Sequence, residues 1–93
     1  MSDEKNEILK IVKFKLGITS SLRDTLLLHL IDNACFFVES KGIKLVLTDG
    51  LIFGFVVDFT CFKYKNTDFL GLPRFLDYQL KNLIVRSLSD ETQ

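Results

Sequence analysis

Four breaks divide this sequence, and their placement favours short helices over any other repertoire. Gly17-Ile18 and Gly42-Ile43 each close an amphipathic run with the same pair, a glycine and then an apolar residue. Glycine takes the left-handed C′ position at a helix end without steric penalty, and the apolar residue after it folds back onto the helix. Asp49-Gly50 is a strong turn dipeptide. Gly71-Leu72-Pro73 places the only proline where a last helix begins, since its missing N–H has no intrahelical partner there. The chain has 93 residues, one domain's worth, and such a chain buries roughly 60–65% of its unfolded surface.

Between the breaks the apolar residues recur at helical spacing. Ile8, Leu9, Val12 and Leu16 share one face of a first helix over about residues 4–16, with Ile11 and Phe14 as a second strip. Asp3, Glu4 and Glu7 suit its positive N-terminal end. A second helix is expected over about 20–41, capped by Thr19-Ser20-Ser21, with Ser21 and Asp24 as a capping box. Its apolar arc (Leu26, Leu27, Leu30, Ile31, Ala34, Phe37, Val38) covers near half the circumference, and Phe36 falls on the polar side. Such a helix is either central or faces a core on one side and a partner on the other.

Residues 44–48 read as a short extended piece. Residues 51–64 are rich in Phe and Val and nearly alternate near their end, which favours a strand, but about 14 residues without a breaker favour a buried third helix. Only Gly54, Asp58, Cys61 and Lys65 give it a less apolar stripe. The last helix is expected over about 73–88, with Leu76, Leu80, Leu83, Ile84 and Leu88 inward and Asp77 paired to Lys81. The expected fold is therefore all-α: a small bundle of four helices with a short extended or turn segment between helices two and three, and polar tails at 1–3 and 89–93.

The sequence offers little chemistry. His29 is the only histidine, so no His-based metal set can form at helical spacing. Cys35 and Cys61 lie in apolar runs and read as buried thiols, not as a disulfide or metal pair. Asp58 interrupts an apolar helix, where an unpaired charge is costly, so it is expected to face the wetter stripe or to pair with Lys65 or an arginine of another helix. No phosphate loop or nucleophile elbow is present, and no enzyme activity or cofactor is expected. No secretory leader opens the chain, and its longest charge-free apolar run, residues 50–57, is far shorter than a membrane helix needs. A protein kept in a reducing compartment is expected.

Twelve basic and twelve acidic residues cancel, without the basic excess of a nucleic-acid binder. A helix-turn-helix module is the alternative reading, but its second helix would open with Arg23 alone and continue Leu-Leu-Leu-His-Leu, a surface suited to protein. By contrast 47% of residues are hydrophobic and nine are phenylalanine, more than one small core hides, and the surplus implies a partner surface.

Three segments in order resemble a known family. These are KFKLGIT (residues 13–19) running into LLLHLIDNACFFVESKGI (26–43), then VVDFTCFKYKNTD (56–68), and finally GLPRFLDYQLKNLI (71–84). Together, over about residues 8–85, the chain resembles the head-tail connector proteins of tailed bacteriophages, also called head-completion or DNA-packaging adaptor proteins. It departs from that pattern at Phe62 and Lys63, where arginine is more usual, and in a third helix without leading prolines and with less charge. The resemblance implies a structural subunit in the virion, made in the host cytoplasm, whose copies form a ring, expected to be dodecameric, at the portal vertex. Its implied partners are the portal protein, a tail-side connector or stopper protein, and further copies of itself. Genomic DNA would pass through without specific binding, and no membrane is involved. The expected interface residues are Ile11, Phe14, Phe36, Arg74, Phe75 and Tyr78.

Overall fold

The breaks fall where the glycines stand. The computed structural model describes residues 3–68 and 71–91, which form α1 (Asp3–Leu16), α2 (Asp24–Ser40), α3 (Gly50–Lys65) and α4 (Arg74–Glu91), with no strand among them. The fold is the all-α, four-helix arrangement expected. Residues 1, 2, 92 and 93 of the expected tails lie outside the described residues, while Asp3 belongs to α1 and α4 continues to Glu91.

Gly17 closes α1 at φ +71°, its amide donating to the Phe14 carbonyl and the Ile18 amide to that of Lys13 at 2.9 Å. That pair of bonds satisfies two carbonyls the helix end leaves open, as a Schellman motif does. Gly42 closes α2 at φ +81°, its amide donating to the Glu39 carbonyl at 3.0 Å, and the following Ile43 is buried.

The start of α2 differs from expectation. The helix begins at Asp24, not near residue 20, and its N-cap Arg23 makes no side-chain capping bond. Ser21 and Asp24 form no capping box. Instead the Asp24 amide donates to the Ser21 carbonyl, and the Asp24 carboxylate meets Lys13 of α1 at 2.7 Å. A tertiary ion pair has taken the group that local capping would use. Pro73 is likewise displaced by one position: its carbonyl accepts from Asp77, so it stands just before the first helical residue. The i,i+4 pair Asp77–Lys81 forms at 3.0 Å.

The core is built on α3. That helix packs against each of the other three, whereas α4 packs principally on α3. Ile52, Phe55, Val56, Val57, Phe59 and Thr60 are buried along it, which explains why its apolar residues run almost all round. Against them lie Ile8 and Val12 of α1, Leu27, Ile31, Ala34, Cys35 and Val38 of α2, and Leu76, Leu80 and Leu83 of α4. Leu88, expected inward on α4, is exposed instead, because the α4 stripe outruns the core at its C-terminal end. The segment 43–49 is irregular and then turns, with Leu45 and Leu47 packed on the core and Val46 outward. The assembled molecule measures 45 × 29 × 18 Å, a slab about two helices thick.

Two side chains in this scaffold yield direct tests. Thr60 is fully buried and its hydroxyl has no hydrogen-bond partner among the described residues. An unsatisfied buried hydroxyl costs more than a methyl of the same shape, so Thr60→Val is expected to raise stability by about 1 kcal/mol. A denaturant midpoint no higher than that of the parent would overturn this.

Asp49 caps α3 by accepting from the Leu51 amide at 3.0 Å and holds Arg86 of α4 at 2.8 Å. Desolvation pushes its carboxyl up, but the Leu51 amide and the Arg86 guanidinium outweigh this and leave it below the usual 3.8. A carboxylate lowered by folding stabilises above its unfolded value, and the contribution disappears as pH falls through the folded one. Thermal melts from pH 5 downward should therefore show the parent converging on Asp49→Asn below about pH 4. An unchanging gap between the two melting curves would contradict the assignment.

Candidate protein interface

Several large apolar side chains find no place in the core. Phe14 on α1 is 87% exposed, Phe36 on α2 75%, and Tyr78 on α4 69%; Phe75 is about half-exposed. Arg74 is exposed beside Phe75 at the start of α4. Ile11 differs from these five expected contacts: it is half-buried and packs against the core, so the strip it was expected to share with Phe14 is split between inside and outside.

Other exposed apolar groups escape the sequence pattern. Leu22 is exposed because the turn before α2 leaves it outside the helix. Leu26, Leu51, Val85 and Leu88 are also exposed. The signal that could have found Val85 is its spacing from Phe75 and Tyr78, at i, i+3 and i+10 on the side of α4 opposite Leu76, Leu80 and Leu83.

Two open grooves accompany these residues. One, about 390 Å³, lies between α2 and α3 and is lined by Leu30, Asn33, Phe36, Phe37 and Phe59. Its floor is a stack, with the Phe37 and Phe59 ring centroids 5.1 Å apart. The other, about 460 Å³, lies where the end of α1 meets α3 and the start of α4, with Lys15, Asp58, Cys61, Phe62 and Phe75 on its walls. Phe75 meets Phe62 edge-on at 6.3 Å, which holds it at the groove's rim.

Asp58 sits on the wetter stripe of α3 as expected, but its partners are Lys15 of α1 at 3.3 Å and the Gln79 amide of α4 at 3.3 Å, neither Lys65 nor an arginine. It links three helices and is accounted for by that role. Burial pushes the Cys35 and Cys61 thiols up, which keeps them protonated and poorly nucleophilic at neutral pH. Cys35 is buried, whereas Cys61 is only half-buried, and both are free thiols. Among the described residues no cluster of His, Cys, Asp and Glu could hold a metal ion, and no helix is long and apolar enough to cross a membrane. His29 is exposed on α2.

What the arrangement can do is present apolar surface on a firm helical frame. Rigid helices lose little further entropy when their aromatic side chains are covered, which favours binding. Comparison of the chain with models of known protein families, with curated proteins and with solved structures finds no match.

Proposed function

We propose that this chain is a structural subunit of the head-tail connector of a tailed bacteriophage, forming a ring under the portal that extends the DNA channel and docks the tail-side protein. The observation that carries this reading is the ordered set of three motifs, of which the last, residues 71–84, bears the exposed Arg74, Phe75 and Tyr78. Aromatics outside the core of a chain with zero net charge suit repeated protein contacts, which a ring subunit makes with its neighbours and with the parts above and below. A channel wall need not be basic, because DNA slides past it. The outward face of α2 carries Asp32, Asn33, Phe36 and Glu39, a poor surface for a phosphate backbone and a reason to prefer this reading to a helix-turn-helix.

The test is negative-stain imaging of the purified chain mixed with a purified portal protein. Ring-shaped density at one end of the portal is the expected result. No portal-bound density, together with a salt-sensitive gel shift of duplex DNA, would replace the connector with the DNA-binding alternative.

A further inference from the structure

Two helices of this chain present outward faces that match each other residue by residue. On α2, Leu26, His29, Asn33 and Phe36 are all exposed and follow the spacing i, i+3, i+7, i+10. On α4, Phe75, Tyr78, Asn82 and Val85 are all exposed and follow the same spacing. At 100° per residue each set occupies an arc of about 80°, the narrow seam used in left-handed helix pairing. The seams are bordered differently. Asp32 and Glu39 run along one edge of the α2 seam, while Arg74 and Lys81 run along the same edge of the α4 seam.

We infer that the α2 seam of one copy packs antiparallel on the α4 seam of another. Antiparallel alignment sets Leu26 against Val85 and Phe36 against Phe75 as apolar pairs. It sets His29 against Asn82 and Asn33 against Tyr78, each a pair able to hydrogen-bond across the seam. In that register Asp32 lies two positions, about 3 Å, out of step with Lys81, and Glu39 equally so with Arg74, both within reach of the long basic side chains. Pairing either helix with its own equivalent instead puts like charges together, acid on acid along α2 and base on base along α4, which disfavours both. Asp32 already holds Lys5 at 2.6 Å and Lys81 holds Asp77 at 3.0 Å, but these are surface pairs that leave the outer carboxylate and ammonium accessible to a neighbour.

Because α2 and α4 pack on α3 and hardly on each other, their seams face different neighbours and the contact is heterologous: each copy offers α2 to one neighbour and α4 to another, and repetition builds a chain of subunits. That such a chain closes into a ring rests on the connector reading, while the contact itself stands on the two faces. The matched positions span ten residues on each helix, a seam about 15 Å long, which buries less than the roughly 800 Å² per partner of a standard interface. Association of the free chain is therefore weak, detectable at hundreds of micromolar, and favoured by low salt.

The test is sedimentation in low salt at up to about 1 mM, comparing the parent with two charge-reversed variants. One carries Asp32→Lys and Glu39→Lys; the other carries Arg74→Glu and Lys81→Glu. Each alone is expected to associate at least about tenfold more weakly, because like charges now face each other. Mixed one to one, they restore association to within about threefold of the parent, since each reversed α2 now meets a reversed α4. Circular dichroism of both variants confirms that they remain folded, and Phe36→Ser, which leaves the charges alone, weakens association with no rescue in the mixture. A parent that stays monomeric throughout, or variants whose mixture is no better than either alone, overturns the inference. Rings on the portal without charge rescue would leave the connector reading in place and remove this contact. Charge rescue in a chain that never binds portal would do the reverse.

Discussion

Replacing Phe55 with alanine is expected to lower stability by about 3–5 kcal/mol, the range found when a large aromatic is cut from a packed core. Phe55 is fully buried on the helix that touches all three others, and its ring lies 5.8 Å from that of Phe59 and 6.5 Å from that of Phe37. Removing it empties the place where α2 and α3 interlock, and rigid helix backbones cannot collapse to fill the space. A domain of this size has roughly 5–14 kcal/mol to lose, so the variant should melt at least about 12 °C lower and sit near its folding threshold at 37 °C. Phe55→Leu keeps most of the apolar volume and should retain most of the stability. Thermal denaturation followed by circular dichroism decides the matter. An alanine variant within a few degrees of the parent would mean that α3 is not the centre of the core.

The second large effect separates assembly from folding. Tyr78→Ala removes a side chain that is mostly in solvent, so the melting temperature should move by no more than about 4 °C, in line with surface substitutions within ±0.5 kcal/mol. Phe75→Ala gives up its edge-on contact with Phe62, worth about 0.5–1.5 kcal/mol, and should cost somewhat more. On the proposed connector reading, ring formation or portal binding should fall by at least about tenfold in the double variant, since buried aromatics dominate the energy of most interfaces. Sedimentation and portal pull-down supply the assembly readout, and a melt of the same preparation supplies the folding one. A double variant that unfolds while the Tyr78 single variant assembles normally would return both rings to the core.

Features decided within one turn of chain were legible in the sequence. The Gly17 and Gly42 stops and the Asp77–Lys81 pair are local, and they form where the residues call for them, whereas Asp49, read as part of a turn, also caps α3. The third helix was legible through its length, although its composition favoured a strand as strongly. Features decided by distant residues were not. Asp58 meets Lys15 across 43 positions, and α2 begins only at Asp24, whose carboxylate meets Lys13 of α1. Spacing alone also assigned Leu88 wrongly to the core, because it gives a direction from the helix axis but not where the neighbouring helix ends. The matched seams on α2 and α4 share that limit: their spacing is written in the sequence, but only burial shows that both point outward.

The single tertiary support of α4 has a consequence for how the molecule breathes. Its neighbour is essentially α3, supplemented by the Arg86–Asp49 clamp, while Gly71 at φ +95° precedes it as a pivot. An element held on one side opens at less free energy than one enclosed on several. Amide hydrogens of α4 should therefore exchange with deuterium well before those of α3, and together as one unit. The helix that exchanges first is also the one that carries Phe75, Tyr78 and Val85. Slowed exchange confined to α4 would then be the earliest sign that a partner has arrived.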